Sequence, residues 1–248
     1  AIPREHNGKP VIKIKENAFN GNTTLKSIIV GDNIENIGGN AFQNTGIITA
    51  NIDASTTGNY IFWNAKSLEK VMIGKNVTKL GMAVFLNCNN LNDLAILTEK
   101  ADINNGILGS AGSLKEVKTN EENSKYMVEE GVLFSKDGSK IYAYPTGKTN
   151  DTYTFSSNVN EIGASAFAFS NLKSIDIPST VEKVGSNAFQ STGITTANID
   201  ASTTENYIFW NAKSLEKVVI GKNVTKLGMA IFLNCNNLND LAILTEKA

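Results

Sequence analysis

Repetition at two length scales limits what this chain can fold into more than any other feature. Residues 43–101 recur as 190–248, 147 positions further on, with five differences: Asn44/Ser191, Ile48/Thr195, Gly58/Glu205, Met72/Val219 and Val84/Ile231. Inside that long unit runs a short one. Segments open at Leu25, Ile47, Leu68, Leu91, Leu114, Asn150, Leu172, Ile194, Leu215 and Leu238, most of them 21 to 23 residues apart. A period of that size marks a solenoid, in which a coil too small to bury its own apolar side borrows a wall from its neighbours.

The best-kept segment reads Leu172, Ile175, Ile177, Val181, Val184, Gly185, Ala188, Phe189. Its opening alternates with period two, which predicts a short strand with Ile175 and Ile177 inward and Ser174 and Asp176 outward. Gly38, Gly81, Gly163, Gly185 and Gly228 follow the second apolar pair and are expected to give the backbone freedom to turn. Phe19, Phe42, Phe62, Phe85, Phe167, Phe189, Phe209 and Phe232 come once per ordinary coil and predict an aromatic spine in the core.

These strings, together with Ile2, Pro3, Asn7, Gly8, Lys9, Pro10, Val11, Ala18 and Phe19, resemble the BspA-like leucine-rich repeats of bacterial surface proteins, over essentially the whole of 1–248. The resemblance implies an α/β repeat solenoid, one right-handed coil stack with a parallel β-sheet on its concave face and short irregular or helical turns outside. It also implies an extracellular or cell-surface location, and for some relatives adhesion to host matrix proteins or to other bacteria.

Two stretches break the period. The coil opened by Leu114 is too long, and Val132-Leu133-Phe134 and Ile141-Tyr142-Ala143-Tyr144 flank an Asp137-Gly138 turn, which predicts an inserted β-hairpin at about 131–145 projecting from the stack. Tyr142 and Tyr144 on it are candidate contacts. In the other stretch, Ala54-Ser55-Thr56-Thr57 and Ala201-Ser202-Thr203-Thr204 replace the second apolar pair and lead into Tyr60-Ile61-Phe62-Trp63 and Tyr207-Ile208-Phe209-Trp210. Trp63 and Trp210 either anchor a partner or lie over the gap left by the missing apolar residues.

Catalytic chemistry finds little support. With 23 Lys and Arg against 24 Asp and Glu the formal charge is −1, so no long-range field recruits nucleic acid or anionic lipid. No apolar run approaches the roughly 20 residues needed to span a bilayer, and direct membrane insertion is not expected. His6 is the single histidine and has no repeat equivalent, so neither a metal site nor a triad is expected, and no cofactor is implied. Asp53 and Asp200 occupy equivalent places with no acidic ladder between them. Cys88 and Cys235 fall six coils apart, about 29 Å at about 4.8 Å per step, and are expected as free thiols.

What remains is surface. The outward strand residues Asn51, Lys70, Met72, Asp176, Asn198 and Lys217, the strand-exit residues Asp53 and Asp200, and the aromatics above are the candidate partner-binding set. The expected function is a cell-surface or secreted binding module for a protein, whether host matrix or another cell surface, or for a glycan. The alternatives are a carbohydrate-active parallel β-helix and a passive spacer of a larger surface protein. Because the first copy continues beyond the residue matching Ala248, the last coil reads as uncapped, and end-to-end self-association is a further option.

Overall fold

The computed structural model describes residues 1–103 and 106–245. The expected end of the last coil at Ala248 lies outside the described residues. The chain divides into two compact units, Ala1–Lys136 and Asp137–Ala248, and each is a stack of β-coils. Among the described residues there is no helix, so the turns expected as irregular or helical are irregular throughout.

In the first unit the strands Ser27–Val30, Thr49–Ile52, Lys70–Ile73, Asp93–Ile96 and Val117–Lys118 lie side by side in one parallel sheet. The register is residue for residue: Ile29 faces Asn51, Asn51 faces Met72, Met72 faces Ala95 and Ala95 faces Lys118. The pleat then sorts the side chains as the period-two pattern dictates. Ile28, Val30, Ala50, Ile52, Val71, Ile73, Leu94 and Ile96 are buried, while the residues between them face outward. The second unit repeats the pairing with Ser174–Ile177, Thr196–Ile199, Lys217–Ile220 and Asp240–Ile243, and the same sorting in all but the last of these, where Leu241 and Ile243 are 47% and 57% exposed.

A shorter parallel ladder closes each coil. It comprises Lys13–Ile14, Asn36–Ile37 and Thr56–Thr57 in the first unit. In the second it runs through Lys140–Ala143, Glu161–Ile162, Lys183–Val184 and Thr203–Thr204. Between the ladders the phenylalanines stack as expected. Phe19, Phe42, Phe62 and Phe85 follow one another at 5.4, 5.2 and 6.0 Å between ring centres. Phe167, Phe189, Phe209 and Phe232 do so at 5.2, 5.2 and 6.0 Å. Truncating one of the fully buried rings would cost about 3–5 kcal/mol.

Three expectations need correction. The glycines after the second apolar pair do not have left-handed backbones; they are where adjacent coils touch. A Cβ on Gly81 would stand 2.0 Å from Gly58 O, and one on Gly38 2.3 Å from Glu16 N. The left-handed turns fall instead on asparagines such as Asn17, Asn40, Asn44, Asn64, Asn87, Asn187, Asn211 and Asn234, a residue type that tolerates them, and also on Tyr60, Ala83, Ser165, Phe169, Ser191, Tyr207 and Ala230, which do so less readily.

The inserted segment also differs. Its antiparallel hairpin pairs Tyr126–Glu129 with Val132–Ser135, turning at Glu130 and Gly131 with φ of 47° and 79°. Asp137-Gly138 is a turn as expected, with Ser139 N–H and Oγ donating to Asp137 Oδ1, and the strand expected after it, Lys140–Ala143, also serves as a rung of the second unit's ladder. Tyr144, expected at the surface, is 1% exposed and stacks on Phe167 at 5.0 Å, extending the spine.

Finally, the places of the missing apolar pair are filled. Ala54 and Thr57 are buried in place of the apolar pair, and Thr57 Oγ1 accepts a hydrogen bond from Gly81 N–H at 3.0 Å.

Candidate binding surface

The outward strand residues form two rows. In the first unit one row runs Ser27, Thr49, Lys70 and Asp93, and the next runs Ile29, Asn51, Met72, Ala95 and Lys118. Asp93 ties the far end together: its carboxylate lies 2.7 Å from Lys70 Nζ and 3.0 Å from Lys118 Nζ. Hydrogen bonds from those two lysines hold the Asp93 carboxyl below its ordinary range, and Asp93 in turn raises Lys118.

The second row is largely apolar. Ile29 is 51% exposed, Asn51 and Met72 are half-buried, and with Leu97 and Lys75 they line a depression of about 430 Å³. Lys75 and Leu97 also line a neighbouring hollow of about 500 Å³ with Asn76, Glu99, Lys100 and Asn120. Ile29 and Leu97 were not among the candidates. Ile29 was legible as outward-facing, but not its degree of exposure; Leu97 follows the last alternating residue, where the pattern has no say.

The second unit presents Asp176, Asn198, Val219 and Ala242 in the corresponding row. Asp176 and Asn198 are exposed and border a smaller hollow of about 300 Å³ with Thr152, Thr154, Ser174 and Thr196. Lys217 reaches Asp240 at 2.8 Å. The two faces therefore differ in chemistry: apolar where Ile29 and Met72 stand, polar where Asp176 stands.

Asp53 and Asp200 are placed at the strand exits but are already engaged. Asp53 Oδ1 accepts Asn76 N–H at 3.0 Å and Oδ2 accepts Asn76 Nδ2 at 2.7 Å, with Asp200 and Asn223 repeating this at 3.1 and 2.7 Å. Both carboxylates thus clamp one coil to the next. Tyr142 is half-buried with Lys140 Nζ 5.0 Å from its ring centre. Trp63 and Trp210 lie on the outer turns, each 38% exposed, away from the strand rows.

Cys88 and Cys235 are buried free thiols that donate to Phe62 O and Phe209 O, each at 3.1 Å. Among the described residues no group of three or more His, Cys, Asp or Glu is placed to hold a metal ion, and no helix is long and apolar enough to cross a membrane.

A family profile described as "BspA type Leucine rich repeat region" matches residues 7–115 and 140–247 in six copies. Among solved structures, a leucine-rich repeat protein from Eubacterium ventriosum matches with a TM-score of 0.72 at 24% identity, over 97% of this chain and 59% of that one. The chain thus spans about three-fifths of that protein's length. The pneumococcal vaccine antigen PcpA matches with a TM-score of 0.57 at 18% identity, over 100% of this chain and 78% of that one. A leucine-rich cell surface protein from Faecalibacterium prausnitzii gives 0.52 at 19%, over 98% and 86%. At these identities the likeness is one of fold. No curated protein matches the chain.

Proposed function

Because this chain belongs to the BspA-type leucine-rich repeat family, we propose that it is a binding module of a bacterial surface or secreted protein, whose strand face takes up a protein partner. The observation that carries the reading is the row of Ile29, Asn51, Met72 and Ala95. It sets the exposed Ile29 and the half-buried Met72 and Ala95, with Asn51 among them, beside a charged cluster that Asp93 ties together. Apolar anchors beside preorganised charges are what protein partners bind, the first for affinity and the second for orientation. Surface display is supported by the family and by the description of the Faecalibacterium relative as a cell surface protein.

A carbohydrate-active enzyme is less well supported, because Asp53 and Asp200 spend both carboxylate oxygens on Asn76 and Asn223. The test is saturable binding of the chain to immobilised host matrix proteins, mucins and intact partner cells. Ile29→Asp, which writes the second unit's residue into the first, should weaken binding about tenfold or more. Absence of saturable binding to every surface, or binding indifferent to Ile29→Asp and Met72→Asp, sinks the strand-face reading.

A further inference from the structure

The charged residues of this chain avoid one part of every Trp-bearing neighbourhood. Residues 39–46, 59–65 and 82–91, which form successive outer turns of the first unit, contain no Asp, Glu, Lys or Arg, and neither do 186–193, 206–212 and 229–238 in the second. Backbone bonds hold these turns in register: Asn44 N–H donates to Trp63 O at 3.0 Å and Asn64 N–H to Leu86 O at 2.8 Å. In the second unit Ser191 N–H donates to Trp210 O and Asn211 N–H to Leu233 O, both at 2.9 Å.

Amides bond to one another on the turns that carry and precede the tryptophans, while Leu86 and Leu233 stand on the turns that follow. Asn64 Nδ2 donates to Asn44 Oδ1 at 2.6 Å, Asn44 Nδ2 to Asn20 Oδ1 at 3.4 Å, and Asn20 Nδ2 to Gln43 Oε1 at 3.2 Å. In the second unit Asn211 Nδ2 donates to Ser191 Oγ and Asn187 Nδ2 to Gln190 Oε1, both at 3.1 Å. These bonds use Gln43 and Gln190 through oxygen and Asn64 and Asn211 through nitrogen. The Gln Nε2 and the Asn Oδ1 are left to meet a partner, on the turns next to the ring in both copies. Tyr60 lies 6.1 Å from Trp63 at a tilt of 54°, so the two rings are not stacked on each other.

We propose that each of these turns is a binding site for a neutral, extended polysaccharide, with Trp63 and Trp210 as platforms for one pyranose face. A β-linked pyranose has an apolar face of C–H bonds and a rim of hydroxyls. The face matches a half-exposed indole, and the rim matches uncharged amide donors and acceptors. The turns themselves supply no charge to compensate an ionic ligand for desolvation, the nearest in sequence being Lys66 and Lys213, each three residues from its tryptophan. The platform lies along a run of outer turns, not in a closed chamber, which suits a chain threading past. This site lies on the turns and is independent of the strand-face reading.

The chain has two tryptophans, so its indole fluorescence reports on these two positions alone. Titration with cellohexaose, mannohexaose and chitohexaose should give a saturable blue shift for at least one, with two equivalents bound by calorimetry and no response to a hexamer of galacturonate. Trp63→Ala and Trp210→Ala should each remove one equivalent, and the double variant should bind about tenfold or more weakly. The double Phe variant, which keeps a flat ring, should recover most of the affinity. Gln43→Ala with Gln190→Ala, which leaves both rings in place, should also weaken binding, and this holds as a test even where truncating a tryptophan loosens its coil. Ile29→Asp should change none of this. Failure of all three neutral hexaoses, equal affinity in the double Ala variant, or self-association of the chain through the same tryptophans would overturn the proposal.

Discussion

Glu205 receives two hydrogen bonds from Ser186, one from the backbone N–H at 3.0 Å and one from Oγ at 2.9 Å, and it pairs with Lys183 at 2.8 Å. Those contacts hold the Glu205 carboxyl below its usual range, the lysine being the larger cause. The corresponding residues of the first unit are Gly58, Gly39 and Asn36, so one of the five differences between the long copies is matched by two residues outside them. The three have changed as a set.

Gly58→Glu alone should therefore destabilise the first unit by about 1–3 kcal/mol, since its Cβ would stand 2.5 Å from Gly39 N and force the backbone to shift, and the carboxylate gains neither a cation nor a hydroxyl there. Adding Asn36→Lys and Gly39→Ser should restore at least part of the loss. Room exists for the serine, because a Cβ on Gly39 meets nothing nearer than Asn59 O at 3.4 Å. Urea unfolding of the three variants checks this; an undiminished midpoint for Gly58→Glu contradicts it.

The Asp53 clamp predicts a coupled pair. A Cβ on Gly74 would fall 2.1 Å from Asp53 Oδ1, so Gly74→Ala must eject the carboxylate from Asn76. Each of Asp53→Ala and Gly74→Ala should cost about 1–2 kcal/mol, and the double variant clearly less than their sum. Strict additivity in a double-mutant cycle would mean that the clamp and the glycine act separately.

Asp93 sets an acid-side dependence. Its carboxyl is held low by hydrogen bonds from Lys70 and Lys118, so its contribution is present above the unfolded carboxylate pKa of about 3.9 and is lost as pH falls through the lower folded value. Lys118 is raised by the same contact, so its share is present below about 10.4 and is lost as pH rises through its folded value. Both groups are largely solvated, and screening limits the total to about 1 kcal/mol or less. Asp93→Asn should flatten the acid limb of stability against pH, measured by thermal unfolding between pH 2 and 7.

The two thiols should react at different rates. Burial pushes the Cys88 thiol up to about 12, and it also raises Cys235, which is 9% exposed against 0% for Cys88. Thiolate is the reactive form, so at pH 8 a disulfide reagent should label Cys235 first and reach Cys88 only on unfolding. Mass spectrometry of the labelled peptides reads the order; equal labelling in the folded chain would count against the packing around Cys88.

How far the sequence could be read follows from which interactions lie within one coil. The strand at Ser174–Ile177 was legible because alternation is a local property, and the spine was legible because Phe42 and Phe62 recur at the coil period. Contacts between coils were not. Gly81 reads as a turn glycine until Gly58 is seen against it, and Asp53 reads as a free outward acid until Asn76 is placed beside it. Tyr144 was misjudged because its strand was read as part of a hairpin projecting from the stack, whereas its ring takes the spine position beside Phe167. Of the candidate surface, the rows were foreseen and their value was not, since exposure of Ile29 depends on what faces it.

The near-identity of residues 43–101 and 190–248 also bears on heredity. Matching stretches that long are substrates for homologous recombination, and a crossover between them would delete or add 147 residues as a block. Because both copies enter at the same point of the coil, the junction would rejoin a strand to its proper turn with no frame of packing disturbed. A change in the number of 147-residue blocks would then keep every strand opposite the strand it was shaped to meet.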